Sequence, residues 1–540
     1  MLQDDDMRPF APPPEEYFSP FMWDGADQMV FRPISRFFAV DPAGEAINVN
    51  ALDEVPDSSF FQNRIGTKPM TPEQFALGSC AQEPPLDTTA KITISGAKPN
   101  GANPGFIVKD SVGRSYLLKF DGLLQPERAT SADVVGSILY HAAGYHAPCN
   151  RVVFFDRRVL QIESDATSED SEGDERPLRD SDIQEVLSKA VRLPDGRYRA
   201  SASLFLPGKP LGPFGYEGTR DDDPNDVVAH EDRRELRGGY LIAAWLNHFD
   251  AREQNTLDVW MESARGRGHV RHYYIDFGDC FGSLWDWDGI SRRLGPSGYM
   301  KLDHILRDIV TLGLVERPWE RATFGPAGQI FGYYGRFDDF DPDAWYPGYP
   351  NPAFGRRSER DTAWMARILA RIGPEHLQAA VAAASFSNPF HASELLHILE
   401  GRRERILRRF LSRLSPLAAP AIEPASATVT SMLCLDDLLI SSGTASRTAR
   451  AYRGRAYPEG DASKALPLQP RAEGTDRVCV PLPSIGGASQ QSPAYLIVDV
   501  RGVVRGREQQ EAPARVHLYD FGGGRYLVVA LERPDNSDPP

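Results

Sequence analysis

Along the chain, apolar and polar positions change rhythm several times. From residue 1 to about 90, Pro, Asp and aromatic residues follow one another without a sustained period. The run PFAPPPEEYFSPF, beginning at Pro9, predicts an extended N-terminal arm that wraps over the rest of the molecule. At Lys91 a period of two sets in. KITISG, GFIVKD and RSYLLKF, with a turn at Ser111-Val112-Gly113, predict an antiparallel meander. The period then lengthens: Val134, Val135, Ile138, Leu139 and Ala142 recur at helical spacing, with Ser131 as the expected N-cap and Gly144, then Pro148, as the stop. Strand RVVFFD follows. The polar, acidic stretch at about 163–182 predicts an exposed insertion, and YRASASLFL another strand. The Pro/Gly-rich PGKPLGPFGYEG suggests a hinge, after which helices are predicted near 231–248, 361–373, 375–386 and 391–414. Residues 416–427, rich in Pro and Ala, predict a linker. Beyond it, 428–533 alternate in short runs (YLIVDV, RVHLYD, RYLVVALE), as in a small β-sandwich.

Composition narrows the classes. The chain has 540 residues, 41% hydrophobic and 25% charged, the make-up of a globular protein of several domains, with no apolar run long enough to cross a bilayer. Its formal charge of −15 opposes attraction to nucleic-acid phosphates, so no nucleic-acid partner is expected. Five cysteines form no CxxC pair and no Cys/His zinc spacing, so any metal is expected to be held by oxygen. The opening MLQDDDM has neither the basic nor the apolar region of a secretory leader, which gives a cytoplasmic location by default and an exported one if a leader has been removed. In an exported protein, Cys434 and Cys479, inside one predicted β region, are placed to form a disulfide.

Several residues carry candidate chemistry. Phosphoryl transfer needs a cation on the donor phosphates, a carboxylate that orients the acceptor hydroxyl, and oxygen ligands for Mg²⁺. Lys119 lies on the third strand of the meander. NHFDAREQNTL places Asp250 five residues before Asn255, just after a helix, and YYIDFGDCFG sets Asp276 at a strand end, with Gly278 expected to take φ > 0 and turn the carboxylate inward. Between Asn255 and Asp276, TLDVWM and HVRHYYI alternate around the turn ESARGRG. A hairpin there returns Asn255 and Asp276 to one edge, and such hard oxygen ligands suit Mg²⁺.

The order Lys119, Asp250 and Asn255 as D-x-x-x-x-N, and Asp276 in I-D-F-G resembles the protein-kinase-like fold over residues of about 90 to 415. The I-D-F-G form is similar to its atypical branches, which include the phosphatidylinositol kinases and the HipA toxin kinase. The resemblance implies an α+β, two-lobed core with a β-rich N-lobe at 91–206 and a mainly helical C-lobe at 207–415. It implies ATP and Mg²⁺ as cofactors, Lys119 on the α and β phosphates, Asp250 as catalytic base, and Asn255 and Asp276 on the metal. Gly96, Gly101 and Gly105, in GAKPNGANPGF, would correspond to the phosphate-binding glycine loop. The acidic partner of Lys119 is either Asp133 or Glu127. His248 either orients Asp250 or packs at a helix end. A second triplet, Asp520-Phe521-Gly522, reads as a hairpin turn alone. The function expected is phosphoryl transfer from a nucleotide to a hydroxyl of a protein, lipid headgroup, sugar or small molecule. The rival expectation is an inactive pseudokinase acting as a scaffold.

Overall fold

The segments of period two become strands, and the first of them build one sheet. In the computed structural model, residues 6–9, 12–17, 21–32, 34–35, 44–97, 104–169, 175–264, 266–286, 288–293, 302–424, 430–504 and 511–534 are described. The meander is β1 (Ile92–Ala97), β2 (Gly105–Lys109) and β3 (Ser115–Phe120), joined by β4 (Asn150–Phe155), β5 (Leu160–Glu169), β6 (Glu175–Pro177) and β7 (Tyr198–Leu204) in the order β4-β7-β3-β2-β1-β5-β6. The pairing is antiparallel except between β1 and β5, where Ile92, Thr93 and Ile94 run parallel to Leu160, Gln161 and Ile162. Of the acidic stretch expected as an exposed insertion, residues 163–169 and 175–177 lie in strands of this sheet, while, Ala166 and Leu178 apart, its described side chains stay partly or fully exposed. One apolar face decides this: Ala166 and Leu178, with Ile183 and Leu187 of a following helix, bury against Ile92, Ile94 and Phe106.

Three helices are needed to describe this half of the molecule. They are α1 (Pro72–Leu77), α2 (Arg128–Ala143) and α3 (Asp180–Ser188). Helix α2 carries the expected apolar residues, all buried, and ends at Gly144 with φ 128°. It begins a turn earlier than the Ser131 cap predicts. The cap comes from elsewhere in the chain: the Asp121 carboxylate accepts from the Thr130 backbone N–H (2.9 Å) and hydroxyl (2.7 Å), while Ser131 Oγ accepts from Arg199 (2.8 Å).

The helices of the second half are α4 (Arg234–Leu246), inside its expected span, and α5 (Glu359–Ala370), α6 (Pro374–Ala383) and α7 (Pro389–Phe410), which overlap theirs but begin one or two residues earlier and end sooner. They share a core with α2, and the N-terminal segment joins it: Phe60, Phe61, Ile65 and Phe75 are buried there, so this part of the expected arm is packed core. The segment is also pinned by charge. The buried carboxylate of Asp53 lies 2.5 Å from Arg234, 2.9 Å from Arg367 and 3.0 Å from Arg533, and the Leu531 N–H donates to the Ala51 carbonyl (2.8 Å). β8 (Lys209–Gly212), β9 (Thr256–Ala264) and β10 (Arg267–Tyr274) form a three-stranded antiparallel sheet.

The stretch expected as a linker carries β11 (Leu417–Glu423), whose Leu417 packs among the apolar residues of the strands that follow. These are β12 (Met432–Asp437), β13 (Arg450–Pro458), β14 (Leu466–Leu468), β15 (Arg471–Glu473), β16 (Arg477–Pro481), β17 (Ala494–Val504), β18 (Ala514–Asp520) and β19 (Tyr526–Glu532). Two sheets, ordered β11-β12-β16-β15 and β14-β13-β17-β18-β19, enclose Leu433, Leu435, Val498 and Val516. Cys434 and Cys479 face each other in the register of β12 and β16 and are disulfide-bonded. A second disulfide, Cys80–Cys149, ties the segment after α1 to the start of β4. Nothing in the sequence singled out that second pair. No described helix is long and apolar enough to cross a membrane. The molecule is therefore a mixed α+β protein with several sheets.

Candidate functional site

Strand β3 sets the position of Lys119. Its neighbours in register are Gly105 on β2 and Ser201 on β7, so the side chain rises from the middle of the sheet, and it is buried. A lone buried ammonium would be costly; this one has two carboxylate partners, Asp133 on α2 at 3.2 Å and Asp276 at 2.8 Å. Burial opposes the charge, but the two carboxylates raise the lysine pKa above its ordinary value. Asp133 also accepts from the Ser201 hydroxyl (2.8 Å). Between the two acids considered as the lysine's partner, the contact belongs to Asp133. Glu127 stands at the start of α2 with φ 68° and accepts instead from the Ser387 N–H at 3.1 Å.

The turn that presents Asp276 differs from expectation. Asp276 itself takes the left-handed conformation, with φ 54°, while Gly278 does not have positive φ. The next residue explains why a small side chain is needed across from it: Phe277 is buried against α2, and a Cβ at Gly136 would sit 2.6 Å from the Phe277 Cβ. Arg128, buried at the start of α2, donates to the carbonyls of Gly278 (2.8 Å) and Cys280 (2.9 Å) and so fixes the loop after the turn. Cys280 is a buried free thiol.

Helix α4 stops at Asn247 in the left-handed conformation, φ 52°, and hands the chain to His248 and Asp250. His248 is fully buried, with Nδ1 2.9 Å from the Tyr140 hydroxyl, and burial holds its pKa down at about 4. Asn255 Nδ2 donates to the Asp250 carboxylate (2.9 Å) and carbonyl (2.8 Å), which directs the amide oxygen away from Asp250. The expected hairpin is present: β9 and β10 pair from Thr256↔Tyr274 outward, and the Ile275 N–H donates to the Asn255 carbonyl (2.9 Å), one residue from Asp276.

A further acid, Asp279, was not singled out from the sequence, although its place three residues after Asp276 in IDFGD was the available signal. Its carboxylate accepts from the Asp250 N–H at 3.0 Å. Burial, then the neighbouring Asp279, pushes Asp250 up to about 7 against the pull of Arg252, whose Nε is 3.1 Å away. Asp279 is also pushed up to about 7, chiefly by burial and further by Asp276. Asp250, Asp276 and Asp279 thus form one group of neighbouring acids.

The glycines fall around a hairpin. Gly96 lies on β1 and Gly105 on β2, while Gly101 lies outside the described residues. A Cβ at Gly96 would meet only ordinary contacts, the nearest being the Thr167 carbonyl oxygen at 3.7 Å. The second triplet is a turn: Gly522, Gly523 and Gly524 all have positive φ, and the Asp520 carboxylate accepts from the N–H groups of Gly522 (2.8 Å) and Ile485 (2.9 Å).

No family model matches the sequence, and no curated protein matches it. Among solved structures, the Golgi casein kinase is similar at 10% identity and a TM-score of 0.24, over 53% of this chain and 76% of that one. The same kinase with Mn/ADP bound gives 10% identity and 0.24 over 59% and 76%. These neighbours are kinases, but distant ones, and a likeness of that size fixes neither fold nor activity for this chain.

Proposed function

We propose that the protein is a phosphotransferase that moves a phosphoryl group from ATP to a hydroxyl acceptor. The seven-stranded sheet with α2 forms the nucleotide-holding lobe and the helices from α4 onward the other. One observation carries this: Lys119, Asp133 and Asp276, drawn from three separate stretches of chain, are in direct contact, with Asp250 and Asn255 hydrogen-bonded to each other and joined to Asp276 through Ile275.

Each residue has a role suited to its surroundings. Lys119, held by its two carboxylates, binds donor phosphates, and Gly96, Gly101 and Gly105 let the backbone approach them. Asp250, with a proton affinity near neutrality, orients the acceptor hydroxyl and takes its proton. Asn255 contributes the oxygen that its bonds to Asp250 leave available, and Asp276 its half-exposed carboxylate, to a divalent cation. The donor set is all oxygen and the neighbouring Asp250 and Asp279 repel each other, each held up at about 7, chiefly by burial, despite the pull of Arg252 and Arg128, so a Mg²⁺ ion fits. When bound, that ion would supply charge neutralisation on the transferring phosphoryl oxygens.

The reading is tested by ADP release from ATP and Mg²⁺ with a panel of hydroxyl acceptors. The wild type is expected to turn over, and Asp250→Ala to fall by at least about 100-fold with nucleotide binding kept. Nucleotide binding without any turnover in the wild type would assign the protein to the scaffold class instead.

A further inference from the structure

A cavity of about 500 Å³ opens between the chain at 57–64, the C-terminal end of α2 and strand β10. Arg64, His141, His146, Arg271 and Tyr273 line it. We propose that it binds the phosphate group of a small phosphate monoester, with Arg64, Arg271 and His146 as the oxyanion's ligands.

The side chains support this by what they lack. Arg64 donates to the carbonyls of His141 (2.8 Å) and Tyr145 (3.0 Å) and to the Gln62 side chain (3.0 Å), all uncharged partners. Arg271 Nε is buried with no hydrogen-bond partner among the described residues, and no described carboxylate lies within ion-pair distance of either guanidinium. His146 is only 9% exposed, and its Nε2 is likewise buried without a partner. Unpartnered donors and acceptors of this kind cost free energy unless something fills the space between them. The electrostatics agree. Burial, then Arg64 and Arg271, hold the His146 pKa well below its ordinary value, and burial with the Arg271 charge brings Arg64 down to about 10 although Asp57 opposes it. Two acids line the same cavity: Asp57, which accepts from the main chain and side chain of Asn63, acts on Arg64 more strongly than Arg271 does but forms no ion pair with it, and Glu83 is exposed.

A phosphate suits the chemistry of two guanidiniums with an imidazole: Arg271 offers its unpartnered Nε–H, Arg64 the N–H groups left by its three bonds, and a singly protonated phosphate can donate its P–OH to a neutral Nε2. Phe205, Leu206 and Pro207 supply an apolar wall for the remainder of a small ligand. The walls are fixed before binding: Cys149 on one side is bonded to Cys80, and the His146 carbonyl accepts from the Tyr274 N–H at 2.9 Å. None of Lys119, Asp133, Asp250, Asn255 and Asp276 lines this cavity, so this proposal stands apart from the phosphotransferase reading.

Isothermal titration of the full chain with glycerol 3-phosphate, inorganic phosphate and glycerol, at matched ionic strength, tests it. Glycerol 3-phosphate is expected to bind at one site, more tightly than inorganic phosphate, while glycerol gives no heat. Arg271→Gln, a partly exposed position that leaves the core untouched, should weaken it by at least about tenfold. Asp276→Asn should leave it unchanged. Absence of binding by glycerol 3-phosphate, equal affinity in Arg271→Gln, or loss of binding in Asp276→Asn would each overturn the proposal. Inorganic phosphate binding as tightly as the monoester would overturn the monoester in favour of the free ion.

Discussion

At the scale of single residues, the same three letters do different work in two places. Asp520 spends its carboxylate on backbone N–H groups of its own turn, whereas Asp276 directs its carboxylate at a lysine more than a hundred and fifty residues earlier. Asp276→Asn should therefore abolish turnover, by at least about 1,000-fold, while calorimetry finds the unfolding temperature nearly unchanged, because Asp133 still neutralises Lys119. Lys119→Met has the opposite balance. It leaves two acids facing each other without their cation and should cost about 3–5 kcal/mol in denaturant unfolding as well as activity. Asp53 yields a pH prediction. Burial pushes its pKa up, but Arg367, Arg234 and Arg533 together hold it at about 2, below the ordinary 3.8. A depressed carboxylate contributes stability above its unfolded pKa and loses it as pH falls through the folded one. The contribution, about 2 kcal/mol, should be complete above about pH 5 and gone only near pH 1, below the folded pKa. Asp53→Asn should flatten that acid limb in a pH series of denaturant melts; an unchanged limb would remove Asp53 from the account.

At the scale of elements, most strands and helices of the cleft were legible because their hydrophobic periods are regular, as in β1 to β3 and α4 to α7. The D-x-x-x-x-N and I-D-F-G spacings could be joined because the intervening hairpin alternates cleanly. What escaped the sequence was whatever long-range contact decided. The start of α2 is capped by Asp121 from the preceding loop and not by a residue of its own first turn. Residues 163–182 look like a surface insertion until the parallel partner β1 is known. Asp279 is invisible as a site residue until the Asp250 N–H is seen donating to it. The packing of α2 on the turn also yields a test. Gly136→Ala would drive a methyl group into Phe277 and should cost about 1–3 kcal/mol, with turnover falling further than the stability loss explains, because Phe277 carries Asp276 with it. Gly96→Ala, where the space is open, should leave the melting temperature unchanged and raise the KM for nucleotide. An unaltered KM would take Gly96 out of the phosphate site.

At the scale of the whole molecule, two covalent clips and one ionic cluster hold distant parts together. The disulfides close loops with sequence separations of 69 and 45 residues, and by the chain-entropy argument each is worth about 4 kcal/mol. Denaturant unfolding with and without reductant, together with Cys80→Ala and Cys434→Ala, should separate the two contributions. The Asp53 cluster reaches farther, since Arg533 lies several hundred residues after Asp53 in the sequence. On a ribosome that synthesises from the N-terminus, this pair cannot close until every residue between Asp53 and Arg533 has been made and Arg533 has cleared the exit tunnel. Until then Asp53 can be held by Arg234 and Arg367 alone, so the cluster is assembled in stages as its arginines emerge.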